Sequence, residues 1–252
     1  MEKRKKIQVP QVIAAMRGNG GFATFGQLYS ILDFSEWDTL TPEVSVRRIV
    51  QQSPGLFFKI ERGLWALEEC RKSVLKKFQL EGFDNPTPDE KVAERKQEFT
   101  HSFYQGLILK IGNMKGKKTF VANNDRAKLF LGKPLREIAT LETIYEFAYP
   151  EFMKRAKTVD VIWFNERRMP FAFFEVEHTT NIEHSLVKFL ALRDYHAEFY
   201  IVAEEERRKQ FNAMLAGQSD FTPLLNRVKF QNYAHLTKQY ENMSELDKID
   251  TI

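Results

Sequence analysis

Apolar residues recur at helical spacing through Val9–Met16, and Gly18-Asn19-Gly20-Gly21 ends the run. Thr24 stands as a cap before a second helical stretch that reaches about Leu32. Thr41 followed by Pro42 opens a third helix, Pro42–Gln52, which Ser53-Pro54-Gly55 closes. Two short apolar runs come next, Leu56–Glu61 and Leu64–Glu68, parted by Arg62-Gly63; the glycine suits the positive φ of a hairpin turn. Three helices and a β-hairpin predict a winged helix, a variant of the helix-turn-helix. Glu69–Leu80 reads as a fourth helix. In the third helix, Val44 and Ile49, with Val46 or Val50, are expected inward, leaving Ser45, Arg47, Arg48 and Gln51 outside.

Glu81–Glu90 holds two prolines, a glycine and four acids with almost no periodic apolar residues. It reads as a linker and divides the chain into 1–80, 81–90 and 91–252. Beyond it, Lys91–Ile111 is a long helix with Phe99, Phe103, Leu107 and Leu109 among its apolar positions, ended by Gly112–Gly116. Lys118–Ala122 is a strand and Pro134–Phe147 a helical stretch. Val159–Phe164 and Phe171–Glu177 are β-branched and aromatic runs around a short charged turn, Asn165–Met169, and form a hairpin. Asn181–Arg193 is an amphipathic helix, Glu198–Ala203 an apolar strand and Glu204–Leu215 another helix. The fold class is α+β: a mainly α N-terminal winged helix with a β-wing, joined to an α/β core.

With 252 residues, 43% hydrophobic and 29% charged, the chain has room for one large or two modest domains, each with its own core. No apolar run reaches the roughly 18 residues a membrane span needs, and no apolar signal segment follows the basic start Met1–Lys6. The single cysteine, Cys70, allows no internal disulfide and no thiolate metal site, which fits a reducing cytoplasm. The net charge of +4 is unevenly spread: residues 1–80 hold 13 Lys/Arg against 8 Asp/Glu, the rest 25 against 26. A positive surplus confined to the predicted winged helix suits phosphate contacts. Arg47, Arg48 and Gln51, with Ser45, are then candidates for base edges, and Lys59 and Arg62 for phosphates on the wing.

The chemistry concentrates on the second hairpin. Glu175 and Glu177, two apart on a strand, project from one face, and Asp160 lies in the apolar partner strand. A lone Glu-x-Glu is ordinarily the solvated face of an edge strand, but Phe171, Phe173 and Phe174 mark an inner strand. Three acids converging there repel one another unless a cation sits among them, and hard oxygen donors favour Mg²⁺, with Mn²⁺ as a substitute. Such an ion activates water and stabilises phosphoryl charge.

Two resemblances extend this reading. Gly20-Gly21-Phe22-Ala23-Thr24, Ser45-Val46-Arg47-Arg48-Ile49, Phe57-Phe58-Lys59-Ile60 and Gly63-Leu64-Trp65-Ala66-Leu67 resemble HARE-HTH winged helices over residues 7–68, which implies binding of double-stranded DNA, with possible sensitivity to base modification. Asp160, fourteen intervening residues, then Glu175-x-Glu177, with Phe174-Glu175-Val176-Glu177-His178-Thr179-Thr180 and Ser185-Leu186-Val187-Lys188, resembles the PD-(D/E)XK restriction-endonuclease-like nucleases over residues 91–235. That resemblance implies a central mixed sheet in the order helix, three antiparallel strands, helix, strand. It also implies a Mg²⁺-dependent type II DNA endonuclease that leaves a 5′-phosphate, a homodimer, and a companion DNA methyltransferase protecting the host. Asp160, Glu175 and the Val176 carbonyl would hold the metal, with Asp160, Glu175 and Glu177 catalytic. Two departures stand out: Glu177 occupies the usual lysine position, where it would bind the ion or act on water, and Val159 replaces a common proline.

Weaker candidates surround this motif. Glu98 and His101 on the first long helix could face the metal, although His101 is expected to be an ordinary half-exposed histidine. His178 and Thr179 could touch the scissile phosphate, but capping of the next helix by Thr180 or Asn181 is the safer assignment. Lys188 is expected to be a solvated helix lysine, with a displaced catalytic cation as the alternative. Asn124, Asp125 and Arg126 sit at a strand end near the expected cleft. The rival readings are a non-cleaving DNA-binding regulator with a degenerate nuclease fold and a modification-dependent endonuclease.

Overall fold

In the computed structural model, which describes residues 2–85, 87, 89–178 and 181–249, the first helical stretch forms α1 (Glu2–Gly18). Val12 and Met16 point into a core. Gly20 and Gly21 then take positive φ, and a Cβ on Gly21 would fall 2.6 Å from Cys70 Cβ, so glycine meets both demands. After β1 (Phe22–Thr24), Thr24 caps α2 (Phe25–Ile31) in a reciprocal box. Its hydroxyl accepts from Gln27 N at 3.1 Å, and its own N–H donates to Gln27 Oε1 at 2.9 Å.

Pro42 begins α3 (Pro42–Gln51), and β2 (Phe57–Glu61) and β3 (Leu64–Leu67) form the expected hairpin, with Gly63 at φ 81°. The three strands make an antiparallel sheet in the order β1-β3-β2. The predicted fourth helix is shorter than expected: a 3-10 turn at Glu68–Cys70 precedes α4 (Arg71–Lys77). The inward face of α3 is also out of step with expectation. Val46, Ile49 and Val50 are buried, but Ser45 is buried with them and Val44 is exposed. Ser45 tolerates this because its hydroxyl faces the Thr41 carbonyl at 3.5 Å.

Two compact units result, one of Met1–Pro88 with Thr237–Ile252, the other of Asp89–Leu236. The second is α+β around a mixed five-stranded sheet. Asp89 caps α5 (Glu90–Met114) by accepting from Val92 N at 2.8 Å. Then come β4 (Lys118–Val121), the short pair β5 (Leu129–Phe130) and β6 (Lys133–Pro134), α6 (Leu135–Ile138) and α7 (Pro150–Ala156). The helix expected over Pro134–Phe147 is confined to the single turn of α6. Thr140 N–H and Leu141 N–H donate to the Thr119 carbonyl at 3.1 and 3.0 Å, and Thr119 N–H donates to Thr140 Oγ1 at 2.7 Å. These bonds draw the segment along β4, and Leu141, Ile144, Tyr145 and Phe147 pack on the core from an irregular backbone. Their spacing mimics a helical stripe.

The hairpin that carries the acids is β7 (Val161–Phe164) and β8 (Pro170–Glu177). The Asn165 side chain closes its turn by accepting from Arg167 N and Met169 N at 3.0 and 3.1 Å. There follow α8 (Ile182–Ala191), β9 (Glu198–Ala203), α9 (Arg208–Gly217), β10 (Val228–Asn232) and α10 (Tyr233–Ile249). The sheet order is β10-β9-β8-β7-β4; β4, β7 and β8 run antiparallel, whereas β8, β9 and β10 are parallel neighbours. Alternation gives the sheet two apolar faces. Ile162, Phe173, Phe199 and Ile201 join Leu186 and Phe189 of α8 in one cluster. On the other face, Trp163 Nε1 donates to the Ile108 carbonyl of α5 at 3.2 Å, and Phe174 stacks on Tyr200 with ring centroids 4.9 Å apart.

From Thr237 onward, α10 belongs to the first unit. Glu241 there pairs with Arg47 of α3, and a Cβ on Gly26 would fall 2.6 Å from Ser244 Oγ. Among the described residues, no helix is long and apolar enough to cross a membrane.

Glycine is essential where α5 passes Phe130. A Cβ at Gly106 would lie 2.1 Å from Cδ2 of that ring. Alanine ordinarily favours a helix interior by about 1 kcal/mol. Gly106→Ala is nevertheless expected to destabilise the protein by about 1–3 kcal/mol through overpacking. Urea denaturation measures this, and a stabilised variant would refute the close approach.

Candidate functional site

Asp160 immediately precedes β7, and Glu175 and Glu177 end β8. Ile162 and Phe173 are cross-strand partners in the same core cluster, so two-residue alternation sets Asp160, Glu175 and Glu177 on one side of the sheet. All three acids are buried, at 8%, 3% and 4% exposure. Desolvation of three carboxylates is severe, so each has specific partners.

The backbone holds Asp160: Val176 N–H donates to its Oδ2 at 2.8 Å, while its own carbonyl accepts from Ala122 N–H at the end of β4. The partners of Glu175 come from α8. Lys188 Nζ donates to both carboxylate oxygens, at 2.9 and 2.8 Å, and to the Thr158 carbonyl at 2.9 Å. Ser185 Oγ also donates to Glu175, at 3.1 Å, and lies against Glu177. Arg207, in the 3-10 turn Glu205–Arg207 after β9, brings Nη1 to 3.9 Å from Glu177 Oε2. Tyr233 donates its hydroxyl to the Glu177 carbonyl at 3.3 Å.

Electrostatics follow from this packing. Burial and the neighbouring charge of Asp160 push the Glu175 carboxyl well above its ordinary range, against the pull of Lys188. Burial alone would depress the Lys188 amine, but Glu175, with Asp160 and Glu177, outweighs it and raises the amine further. Lys188 is therefore not the solvated helix lysine expected from its position. It is a half-buried counterion.

A second group of side chains meets Asp160 from α5 and from the 3-10 turn Asn123–Asp125. His101 Nε2 lies 3.5 Å from Asp160 Oδ2 and 3.9 Å from Asp125 Oδ2. Lys128 Nζ sits 2.8 Å from Asp125 Oδ1, and Gln105 Nε2 donates to Asp125 Oδ2 at 2.6 Å. Burial disfavours the His101 imidazolium, but the two carboxylates prevail and raise its pKa to about 10. Burial likewise works against charge on Asp125, but His101, Lys128 and Gln105 hold its carboxyl far below the usual range. His101 is thus tied into the acid cluster and is not merely a surface histidine.

The remaining candidates are scattered. Glu98 is exposed, 3.9 Å from Lys128. His178 is half-buried beyond β8, and Thr179 and Thr180 lie outside the described residues. Asn181 caps α8, accepting from Glu183 N at 3.0 Å. In the first unit, Arg48, Gln51, Lys59 and Arg62 are exposed, Ser45 is buried, and Arg47 is paired with Glu241 over the Phe25 ring. Sequence reasoning gave Asp125 only a loop's claim and passed over Gln105, Arg207 and the hydrogen bond from Ser185 to Glu175. The sequence signal for Asp125 is its place just past β4, whose last residue pairs with Val161 beside Asp160.

Lys188→Met leaves Glu175 buried without its cation. The expected cost is roughly 3 kcal/mol, the scale for breaking a buried pair, measured by urea denaturation. A variant as stable as the parent would mean that the pair is not buried in solution.

A family model described as the Type II restriction enzyme NmeDI C-terminal domain matches residues 84–251. No curated protein and no solved structure matches the chain. The matched span takes in the whole five-stranded sheet, all three buried acids and both clusters around Asp160. On that match, which covers two thirds of its length, the chain belongs to the NmeDI C-terminal-domain family of type II restriction enzymes.

Proposed function

We propose that the protein is a Mg²⁺-dependent type II DNA endonuclease with a PD-(D/E)XK site in its Glu-x-Glu form, guided by an N-terminal winged helix. The observation that carries this reading is the buried pair Asp160 and Glu175, on one side of the sheet, with the Val176 N–H of β8 donating to the Asp160 carboxylate. Their hard oxygen donors fit Mg²⁺ or Mn²⁺, and Asp160, Glu175 and the Val176 carbonyl would hold the ion. When bound, it supplies Lewis-acid stabilisation of phosphoryl charge and a more acidic water.

The protein's own groups then divide the work. Val176 N–H fixes the Asp160 carboxylate. Lys188, already on Glu175, replaces the lysine that Glu177 displaces from the motif and orients the attacking water. Glu177 holds Ser185 and Arg207 at the site, with Arg207 toward the scissile phosphate. Attack in line on phosphorus breaks the bond to the 3′ oxygen and leaves a 5′-phosphate. Cutting both strands takes two such sites, so we assign a homodimer, which favours a palindromic target. A companion methyltransferase would protect the host's own sites.

For the first unit we assign Arg48 and Gln51, exposed one turn apart with Val44, to base edges, and Lys59 and Arg62 to phosphates. Arg47 is spent on Glu241 and the Phe25 ring, and serves the fold of that unit.

A cleavage assay with Mg²⁺ on unmethylated and methylated plasmids tests the reading. Wild type is expected to cut unmethylated DNA, and Asp160→Ala to lose at least about 10²-fold in rate, the scale of removing one charge-stabilising group, while still binding DNA. Cleavage of the methylated plasmid alone would favour the modification-dependent reading. Binding without cleavage of either would favour a regulator. In gel-shift titrations, Arg48→Ala is expected to weaken specific binding by about 1–3 kcal/mol, roughly 5- to 150-fold. Arg47→Ala is expected to lower stability instead. Equal affinity for Arg48→Ala and wild type would remove α3 from the DNA interface.

A further inference from the structure

Positive charge in the second unit is concentrated in one stretch. Residues 89–236 hold 23 Lys/Arg against 20 Asp/Glu, but 110–136 alone hold 8 against 1, leaving 15 against 19 elsewhere. Half of those eight cations already serve the fold. Lys115 and Lys117 lie over the Trp163 and Phe171 rings, Arg126 donates to the Glu142 carbonyl, and Lys128 pairs with Asp125. Lys133 on β6 and Arg136 on α6 are exposed.

The β5–β6 hairpin that carries Lys133 is rooted on the acid centre. Ala122 N–H donates to the Asp160 carbonyl at 3.1 Å, and Asp125 lies across His101 from the Asp160 carboxylate. The hairpin that follows is firmly fixed. The Phe130 ring fills the notch at Gly106, and Ser102 Oγ donates to the Leu129 carbonyl at 3.0 Å. Leu135 N–H and Arg136 N–H donate to the Lys128 and Arg126 carbonyls at 2.9 and 3.1 Å. The two-residue turn is left-handed at both positions, Leu131 at φ 51° and Gly132 at φ 83°. Leucine is strained there, and such strain gathers where a structure clamps a ligand. With two residues in each strand, the hairpin is about 7 Å long. Its basic side therefore stays within a few phosphates of the acids, since each DNA strand carries one charge per about 3.4 Å of helix axis.

We propose that this hairpin, through Lys133 and Arg136, grips backbone phosphates of double-stranded DNA and seats the duplex over Asp160 whatever its base sequence. A hairpin already fixed loses little freedom on binding, so its ionic contacts are not offset by the ordering of a loop. It approaches Asp160 from the α5 side, whereas Arg207 approaches the acids from the turn after β9. The proposal rests on the nuclease reading for its ligand, duplex DNA. It differs from the role assigned to α3 in carrying no sequence information.

Fluorescence-anisotropy titration of the full-length protein with a labelled duplex of random sequence, without Mg²⁺ and over a series of salt concentrations, tests it. Each of Lys133→Gln and Arg136→Gln is expected to reduce the slope of log affinity against log salt by about 1, one phosphate contact apiece. Lys133→Arg is expected to keep the wild-type slope. So is Lys118→Gln, which removes an exposed cation at the end of β4 away from Asp160. Thermal melting confirms that each variant is folded, and either single variant suffices should the other melt early. Unchanged slopes in both hairpin variants, with wild type still cutting DNA in Mg²⁺, would overturn the grip and leave the nuclease reading standing. An equal fall in Lys118→Gln would also overturn it, by showing an effect of net charge alone. Reduced slopes in the hairpin variants of a protein that cuts nothing would support the grip and remove the nuclease reading. No binding of DNA by wild type would overturn both.

Discussion

Three carboxylates at the end of an otherwise apolar hairpin impose the constraint that the rest of the second unit answers. Taking an ion out of water costs several kcal/mol even after relaxation, and like charges compound that cost. The answer comes from four different elements. The β8 backbone fixes Asp160, α8 brings Ser185 and Lys188 to Glu175, the turn after β9 brings Arg207 toward Glu177, and α5 brings His101 to Asp160. A β-α-β crossover is what lets α8 do this. Parallel β8 and β9 need a connection long enough for a helix, and Ser185 and Lys188, three residues apart, share the side of that helix that faces the acids.

The family membership and this electrostatic arrangement bear on each other. A site that compensates its acids with lysine, arginine and histidine is less repulsive than the bare motif suggests, so repulsion alone is a weak argument for a metal. The stronger argument is geometric. Asp160 is fixed by a main-chain donor, and its neighbours arrive from both sides of the hairpin, so the oxygen atoms of the cluster are already placed. Lys188 reaches Glu175 from α8, so the closest cation to the three acids comes from the helix that follows the hairpin rather than from β8.

Periodicity made part of this legible. Alternation in Phe171–Glu177 and the β-branched run before Asn165 fixed the hairpin, and the i, i+2 spacing fixed the common side of Glu175 and Glu177. Thr24, Pro42 and Asn181 marked helix starts through local chemistry that no tertiary contact needs to support. What was lost depends on sheet register. Asp125 reaches Asp160 only because β4 pairs with β7, and Arg207 reaches Glu177 only because β9 lies parallel to β8. The false helix over Pro134–Phe147 has the same origin: Thr119 outcompetes helical hydrogen bonding there, and apolar spacing cannot register a bond to a distant strand. The one-position error in α3, with Val44 outside and Ser45 inside, shows that a short amphipathic helix specifies its period better than its phase. The sequence also assigned 91–252 to one domain, whereas the residues from Thr237 pack with the first unit, through contacts of Glu241 and Ser244 that carry no local signature.

The placement of α5 decides what Asp160 can do. His101, Gln105 and Gly106 lie within about one and a half turns of one helix, so the distance from α5 to the sheet sets the reach of the imidazole. Glycine at 106 admits the Phe130 ring, and glycine at 112 admits Trp163, whose indole nitrogen would otherwise lie 2.5 Å from a Cβ. Larger residues at either position would lift α5 and lengthen the His101–Asp160 separation without altering either of those side chains. The small residues therefore act on the site through helix position. Further along the same helix, the Trp163–Ile108 hydrogen bond opposes sliding along its axis. A side chain already 3.5 Å from Asp160 has little room for such a shift, and so the packing of α5 against the aromatic face of the sheet is itself part of the chemistry at Asp160.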